Sequence, residues 1–263
     1  MNYHELKEKI RQNNNISIGE TLSESFNLYG SIFGNGLLLQ VLTILVLYGL
    51  VILTYIPMMG SVFIMEDQVY DPSDDTYTVI GILWLILYFF IYVIVAIFQV
   101  GLLSAFYNIM RLKDRGIRSK KGVNFGMFFK KQYFLKLTLI GVINLLMIGI
   151  GSILFVVPLF YVIIPVQFVV LLFAFNPELS VKQLYGLAFT LGTKKWGTTF
   201  LPFALLALIA SLGIFVCGIG ILATASLALV PAYLIYKGVI GFYEDEEAIA
   251  SIGDPSLIET GNY

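Results

Sequence analysis

The chain nearly lacks the residues from which most catalytic centres are built. It has one histidine, His4, and one cysteine, Cys217, among 263 residues. One cysteine excludes an intrachain disulfide and a cysteine-based zinc cluster. Cys217 is flanked by apolar residues and reads as inert. One histidine, in the polar N-terminal stretch, excludes a Ser-His-Asp set within the apolar segments and a histidine-based metal site. Charge is also scarce: 13% of residues are charged, against about 25% in a soluble domain. A net charge of −1 gives the whole chain no attraction for nucleic acid. Gly149-Ile150-Gly151 and Gly218-Ile219-Gly220 are not phosphate loops, because no Lys-Ser/Thr follows them. They read as tight turns. No cleavable signal peptide is visible, since the first apolar run follows about 36 mostly polar residues.

What the chain has instead is apolar surface. Hydrophobic residues make up 58% and aromatic residues 15%, more than a water-soluble globule of this size can hide. A membrane span needs roughly 20 apolar residues. The expectation is therefore an all-α, polytopic transmembrane helical bundle of six spans in three hairpins, with amphipathic interfacial helices. The spans are placed at 37–57, 79–110, 137–152, 153–175, 200–217 and 219–236. The third and fourth share one long run, as do the fifth and sixth, with the glycine pairs and Pro158 near the reversals. Interior Pro165 and Pro231 are expected to kink their helices. One membrane domain, 17–243, would lie between a polar segment, 1–16, and an acidic tail, 244–263.

The charges agree with this count. The stretch between spans one and two carries Glu66, Asp67, Asp71, Asp74 and Asp75 and no base. The next carries Arg111, Lys113, Arg115, Arg118, Lys120, Lys121, Lys130, Lys131 and Lys136 against Asp114. Lys182, Lys194 and Lys195 follow span four, Lys7, Lys9 and Arg11 precede span one, and Lys237 ends span six. The positive-inside rule puts both termini and the basic loops in the cytoplasm. Arg111, Lys113, Arg115, Arg118, Lys120, Lys121, Lys130 and Lys131 are candidates for anionic-lipid contacts, or they serve orientation alone. The acidic loop could bind a divalent cation through Asp71, Asp74 and Asp75, although it lacks the spacing of a calcium loop; a solvated loop is the other reading.

Two segments repeat a pattern. Ile18, Leu22, Phe26, Tyr29 and Phe33 recur at helical spacing, as do Val181, Leu184, Tyr185 and Ala188 after Pro177. Both read as interfacial helices, 17–34 and 178–194. They align at a fixed offset, with Asn124 to Tyr133 as a weaker third copy, so a unit of interfacial helix plus hairpin could be used three times. Chance matching of apolar sequence is the alternative.

Within the spans no charged side chain is expected. Gln40, Gln99, Asn144 and Gln167 are the larger polar groups. Asn144 and Gln167 can hydrogen-bond across a hairpin, as interhelical glue worth about 0.6–2 kcal/mol, or they line a ligand site; Gln99 is a third such group.

Ile18-Gly19-Glu20 through Phe26-Asn27-Leu28-Tyr29, Gly101-Leu102-Leu103-Ser104-Ala105-Phe106-Tyr107, and Asn176-Pro177-Glu178 through Leu184-Tyr185 to Trp196-Gly197 together resemble a bacterial six-span family. That family includes the membrane domain of glycerophosphoryl diester phosphodiesterases and stand-alone relatives. The likeness covers about residues 17–240 and rests on soft, mostly apolar motifs. In the fused enzymes catalysis resides in a separate soluble barrel, so the resemblance implies a membrane domain without the enzyme, in the bacterial inner membrane. The expected protein is non-catalytic and has no cofactor. It is an accessory or scaffold subunit that packs against another integral membrane protein or modulates membrane lipids. The alternative is a transporter or channel for a neutral or lipidic small molecule.

Overall fold

A computed structural model describes residues 2–12, 16–66, 75–117, 124–154, 157–215 and 220–242. All regular structure among them is helical: α1 (Tyr3–Arg11), α2 (Ile18–Glu66), α3 (Asp75–Asp114), α4 (Lys131–Ile153), α5 (Val157–Phe175), α6 (Val181–Lys194), α7 (Trp196–Ser211), α8 (Gly220–Thr224) and α9 (Val230–Val239). Short 3-10 turns, Leu212–Phe215 and Ala225–Leu229, extend α7 and join α8 to α9. Six segments are long and apolar enough to cross a bilayer: Ile18–Tyr55, Thr78–Asp114, Lys131–Ile153, Val157–Phe175, Trp196–Phe215 and Gly220–Val239. The chain is an all-α polytopic membrane protein.

Several boundaries differ from the expectation. The helix expected at 17–34 is not separate from the first span; α2 runs unbroken for 49 residues. Gly36 falls where a break was expected, but it is used for close approach: a Cβ there would collide with Ser226. The buried stripe is also rotated from the one expected. Thr21, Ser25, Leu28, Tyr29, Ile32 and Leu39 are covered, while Phe26 and Phe33 are exposed. Glycine and small hydroxyl residues let α2 meet α8 and α9 closely, and the larger aromatics turn outward. The Tyr29 hydroxyl donates to the Ala223 carbonyl.

The third and fourth spans form the expected hairpin, with α4 ending at Ile153 and α5 starting at Val157. Gly149 and Gly151 lie inside α4 rather than in the turn. Pro165 sits inside an unbroken α5. Pro231 acts more strongly, because proline cannot donate to the carbonyl four residues back. The chain before it tightens into a 3-10 turn, with Val230 N–H bonding Leu227 O, and the last span is broken into three pieces. The weak third repeat, 124–133, begins as turns rather than a helix. The acidic residues Asp67, Asp71 and Asp74, the Asp75 side chain, Cys217 and the tail 244–263 lie outside the described residues.

α6 begins at Val181, three residues after the expected start at 178, and ends at Lys194 as expected. Ser180 accepts from Gln183 N–H, and the Gln183 side chain reaches back to the cap, as in a capping box. It does not lie alone in an interface, however. It packs along α5, and Leu184, Leu187, Ala188 and Leu191 are buried. Tyr185 reaches α4 with its hydroxyl, and Trp196 Nε1 donates to Tyr161 O of α5. α1 covers α6 from the other side: its Leu6 and Ile10 are fully buried. Lys194 Nζ donates to the carbonyls of Ile10 and Arg11, which are orphan acceptors at the end of α1.

The basic end of the bundle is stitched by similar bonds. Lys9 Nζ donates to Ile240 O. Lys136 Nζ donates to Pro177 O and Leu179 O. Asn108 Nδ2 donates to Ala174 O at 2.8 Å. Asn176 Nδ2 donates to the Tyr236 hydroxyl at 3.0 Å. α1, the end of α3, the end of α5 and the end of α9 therefore gather at one end.

Candidate functional site

Next to that end, α3, α4 and α5 line a cavity of about 380 Å³, with Phe203 and Leu229 also among its walls. Its walls are apolar: Val100, Leu103, Leu145, Val166 and Val170 are typical. No lining residue is charged. Five residues with polar side chains stand among its walls, Tyr92, Gln99 and Tyr107 from α3, Asn144 from α4 and Gln167 from α5, but almost all of the surface they leave open is apolar. Each of the three amides lies well inside its span.

The expected bond between Asn144 and Gln167 does not form. Asn144 Oδ1 instead accepts from the Tyr185 hydroxyl at 2.7 Å, because α6 brings that phenol to the back of α4. Gln99 Oε1 receives only a long bond, 3.4 Å, from Thr43. Gln99, Asn144 and Gln167 thus gather around one cavity, and Gln99 and Asn144 also bond to neighbouring helices; Gln40, the fourth amide picked out in the sequence, is not among the lining residues.

Tyr107 escaped the sequence reading. Its side chain is fully buried, and its hydroxyl lies beside the Gln167 side chain without closing a hydrogen bond of acceptable geometry. The available signal was the row Gly101, Ser104, Ala105 and Asn108, small or polar residues at helical spacing in an otherwise bulky helix. Such a row marks the close-packed face of a membrane helix, and all four are buried.

The mouth of the cavity lies on the apolar flank of the bundle. Tyr92 and Ile148, on α3 and α4, line it and are also exposed, at 57% and 38%. Beside it the two helices touch at Gly141, where a Cβ would stand 3.0 Å from the Ile97 backbone nitrogen. Only glycine lets the helices meet so closely there.

The candidate lipid-contacting bases divide. Lys113, Lys130 and Lys131 are exposed, and Arg115 is half-buried. Arg118, Lys120 and Lys121 lie outside the described residues. Arg111 is a correction, because it is only 5% exposed. Its guanidinium carbon lies 4.9 Å from the Phe175 ring and 5.5 Å from the Phe242 ring, at cation–π range. Nη2 donates to Asn108 Oδ1 at 3.1 Å. Arg111 holds the ends of α3 and α5 against the chain after α9. Asp114, one turn on, accepts from Tyr233 and pairs with Lys237. No group of three metal-ligating side chains forms among the described residues.

No family model, curated protein or solved structure matches this chain.

Proposed function

We propose that this integral membrane protein is non-catalytic and holds a neutral, lipid-soluble molecule taken from the bilayer into its helix bundle. One observation supports this above the others: a cavity of about 380 Å³ whose accessible surface is almost wholly apolar and whose lining carries no charge. Ligand sites have this composition, and a charged ligand would be left unpaired there. Tyr92 and Ile148 form a rim on the lipid-facing flank, so the ligand arrives sideways from the acyl chains. The basic end faces the cytoplasm by the positive-inside rule.

Val166→Phe tests this reading by filling the cavity from its own wall. Wild-type protein purified in mild detergent should carry about one uncharged molecule per chain, detected by mass spectrometry after extraction. The variant should fold and carry far less. If both preparations carry the same lipids in the same amounts, the proposal is wrong.

A second reading, an accessory subunit packed on another integral membrane protein, is favoured by the outer parts of α2 and α3. At about 1.5 Å per residue, the 49 residues of α2 extend about 74 Å, beyond a bilayer of about 40–45 Å with its headgroups. Their apolar side chains, such as Leu53 and Leu85, have no cover. A photo-crosslinker at Leu85 should capture one protein at stoichiometric yield on this reading; capture of lipid alone would remove it.

A further inference from the structure

We infer that this cavity receives the end of one hydrocarbon chain, methyl end first, and leaves any polar head outside in the bilayer. The inference rests on the cavity being a ligand site, and adds which part of the ligand enters and which way round.

The lining sets the shape. α4 contributes residues from Gly141 to Ile148 and α5 residues from Ile163 to Val170, each at the spacing i, i+3, i+4, i+7, which is one face of a helix. α3 adds one face from Tyr92 to Tyr107, about 22 Å of helix at about 1.5 Å per residue. Three stripes that follow the helix axes make a slot that runs along the bundle, as the lipid chains around it do.

Burial sets the direction. On α4, Gly141 lies nearest the basic end and is buried, whereas Ile148 lies furthest from it and is 38% exposed. α3 repeats this, from fully buried Tyr107 to Tyr92 at 57%. On α5, Val170 is buried and Ile163 half-buried. The slot is therefore shut at the basic end and open at the other, on the apolar flank.

Chemistry sets what goes in. The surface left open is almost wholly apolar, and Asn144 has turned its carbonyl to Tyr185. A hydroxyl or a charged head carried to the shut end would give up its partners and gain none. A hydrocarbon chain gives up nothing there, and its atoms supply contacts that the walls do not find in the protein. About 380 Å³ lies near the lower end of ligand pockets, about 300–1,000 Å³, which suits one chain rather than two.

The experiment places the full chain in phosphatidylcholine nanodiscs with 1-hexadecanol that carries a photoreactive diazirine either beside its methyl end or beside its hydroxyl. After irradiation, mass spectrometry maps the labelled residues, with Val166→Phe carried in parallel. The methyl-end probe should label Leu103 and Val170, and the hydroxyl-end probe should label the rim at Tyr92 and Ile148. Val166→Phe should lose most of the labelling at Leu103 and Val170. Unlabelled competitors are then compared at equal concentration in the disc. Hexadecane should displace the methyl-end probe. The same chain with a hydroxyl at both ends should do so about tenfold less well, the scale of one hydroxyl buried without a partner.

Labelling of Leu103 and Val170 by the hydroxyl-end probe, or a double-ended alcohol that competes as well as hexadecane, would overturn the inference and leave the cavity reading standing. If neither probe labels Leu103 or Val170, or if Val166→Phe leaves that labelling unchanged, the cavity reading falls together with this inference.

Discussion

α5 and the outer half of α3 are alike in composition and opposite in surroundings. The apolar window of α5 has a mean hydropathy of 2.4 and is 56% buried, whereas that of α3 scores 2.8 and is 6% buried. From residue 81 to 90 every α3 side chain except Trp84 is exposed; from Phe168 to Phe175 every α5 side chain is buried. Hydropathy reports transfer out of water, and a lipid tail is as apolar as a leucine. It therefore finds the spans and is blind to which of them form the core. What separates the two regions is the company they keep. Inward from residue 100, α3 carries its row of small and polar residues and becomes buried; between 81 and 90 that row is missing.

Paired substitutions sharpen this contrast. The largest effect belongs to Phe173→Ala. Phe173 is fully buried and touches the Phe128 and Tyr133 rings, so its loss should cost about 3–5 kcal/mol. Leu85→Ala, at a side chain 71% exposed, should stay within about 0.5 kcal/mol. Reversible unfolding in detergent measures both, and equal losses would erase the distinction between the two regions. Next comes Lys136→Met, which strips two charged bonds from the carbonyls of Pro177 and Leu179. It should cost about 1.5–3 kcal/mol, while exposed Lys131→Met should change little.

A smaller effect is expected for Lys194→Met. The end of α1 would lose its bonds to Ile10 and Arg11, at about 1 kcal/mol, and amide exchange over residues 3–11 should quicken while α5 stays protected. Smallest is Val166→Phe, where new atoms enter existing space. Stability should rise by up to about 1 kcal/mol, whereas the same change at a tightly packed core position would lower it.

The spans were legible because length and apolarity are one-dimensional. Gln99, Asn144 and Gln167 stood out because amides within spans are few. Whether they bond one another or line a cavity stays open in the sequence, since it depends on how α3, α4 and α5 pack together. The bond of Asn144 to Tyr185 was hidden for another reason: nothing in residues 181–194 says that the helix folds back along α5. α1 was read as polar chain because its apolar side is only Leu6 and Ile10, too little to register until α6 is present to receive it. Arg111 looked like a surface base by position, but Phe175 and Phe242, distant in sequence, enclose it.

Spin-label accessibility at position 167 tests the central claim most directly. The label is placed by Gln167→Cys in a Cys217→Ser background, with the protein in a bilayer, and collisions with oxygen and with a neutral nickel chelate are compared. A chamber that opens to the acyl chains predicts frequent oxygen collisions and few with the chelate. Strong chelate access would mean a water-filled path, and access by neither would mean a closed core; either result would contradict the account.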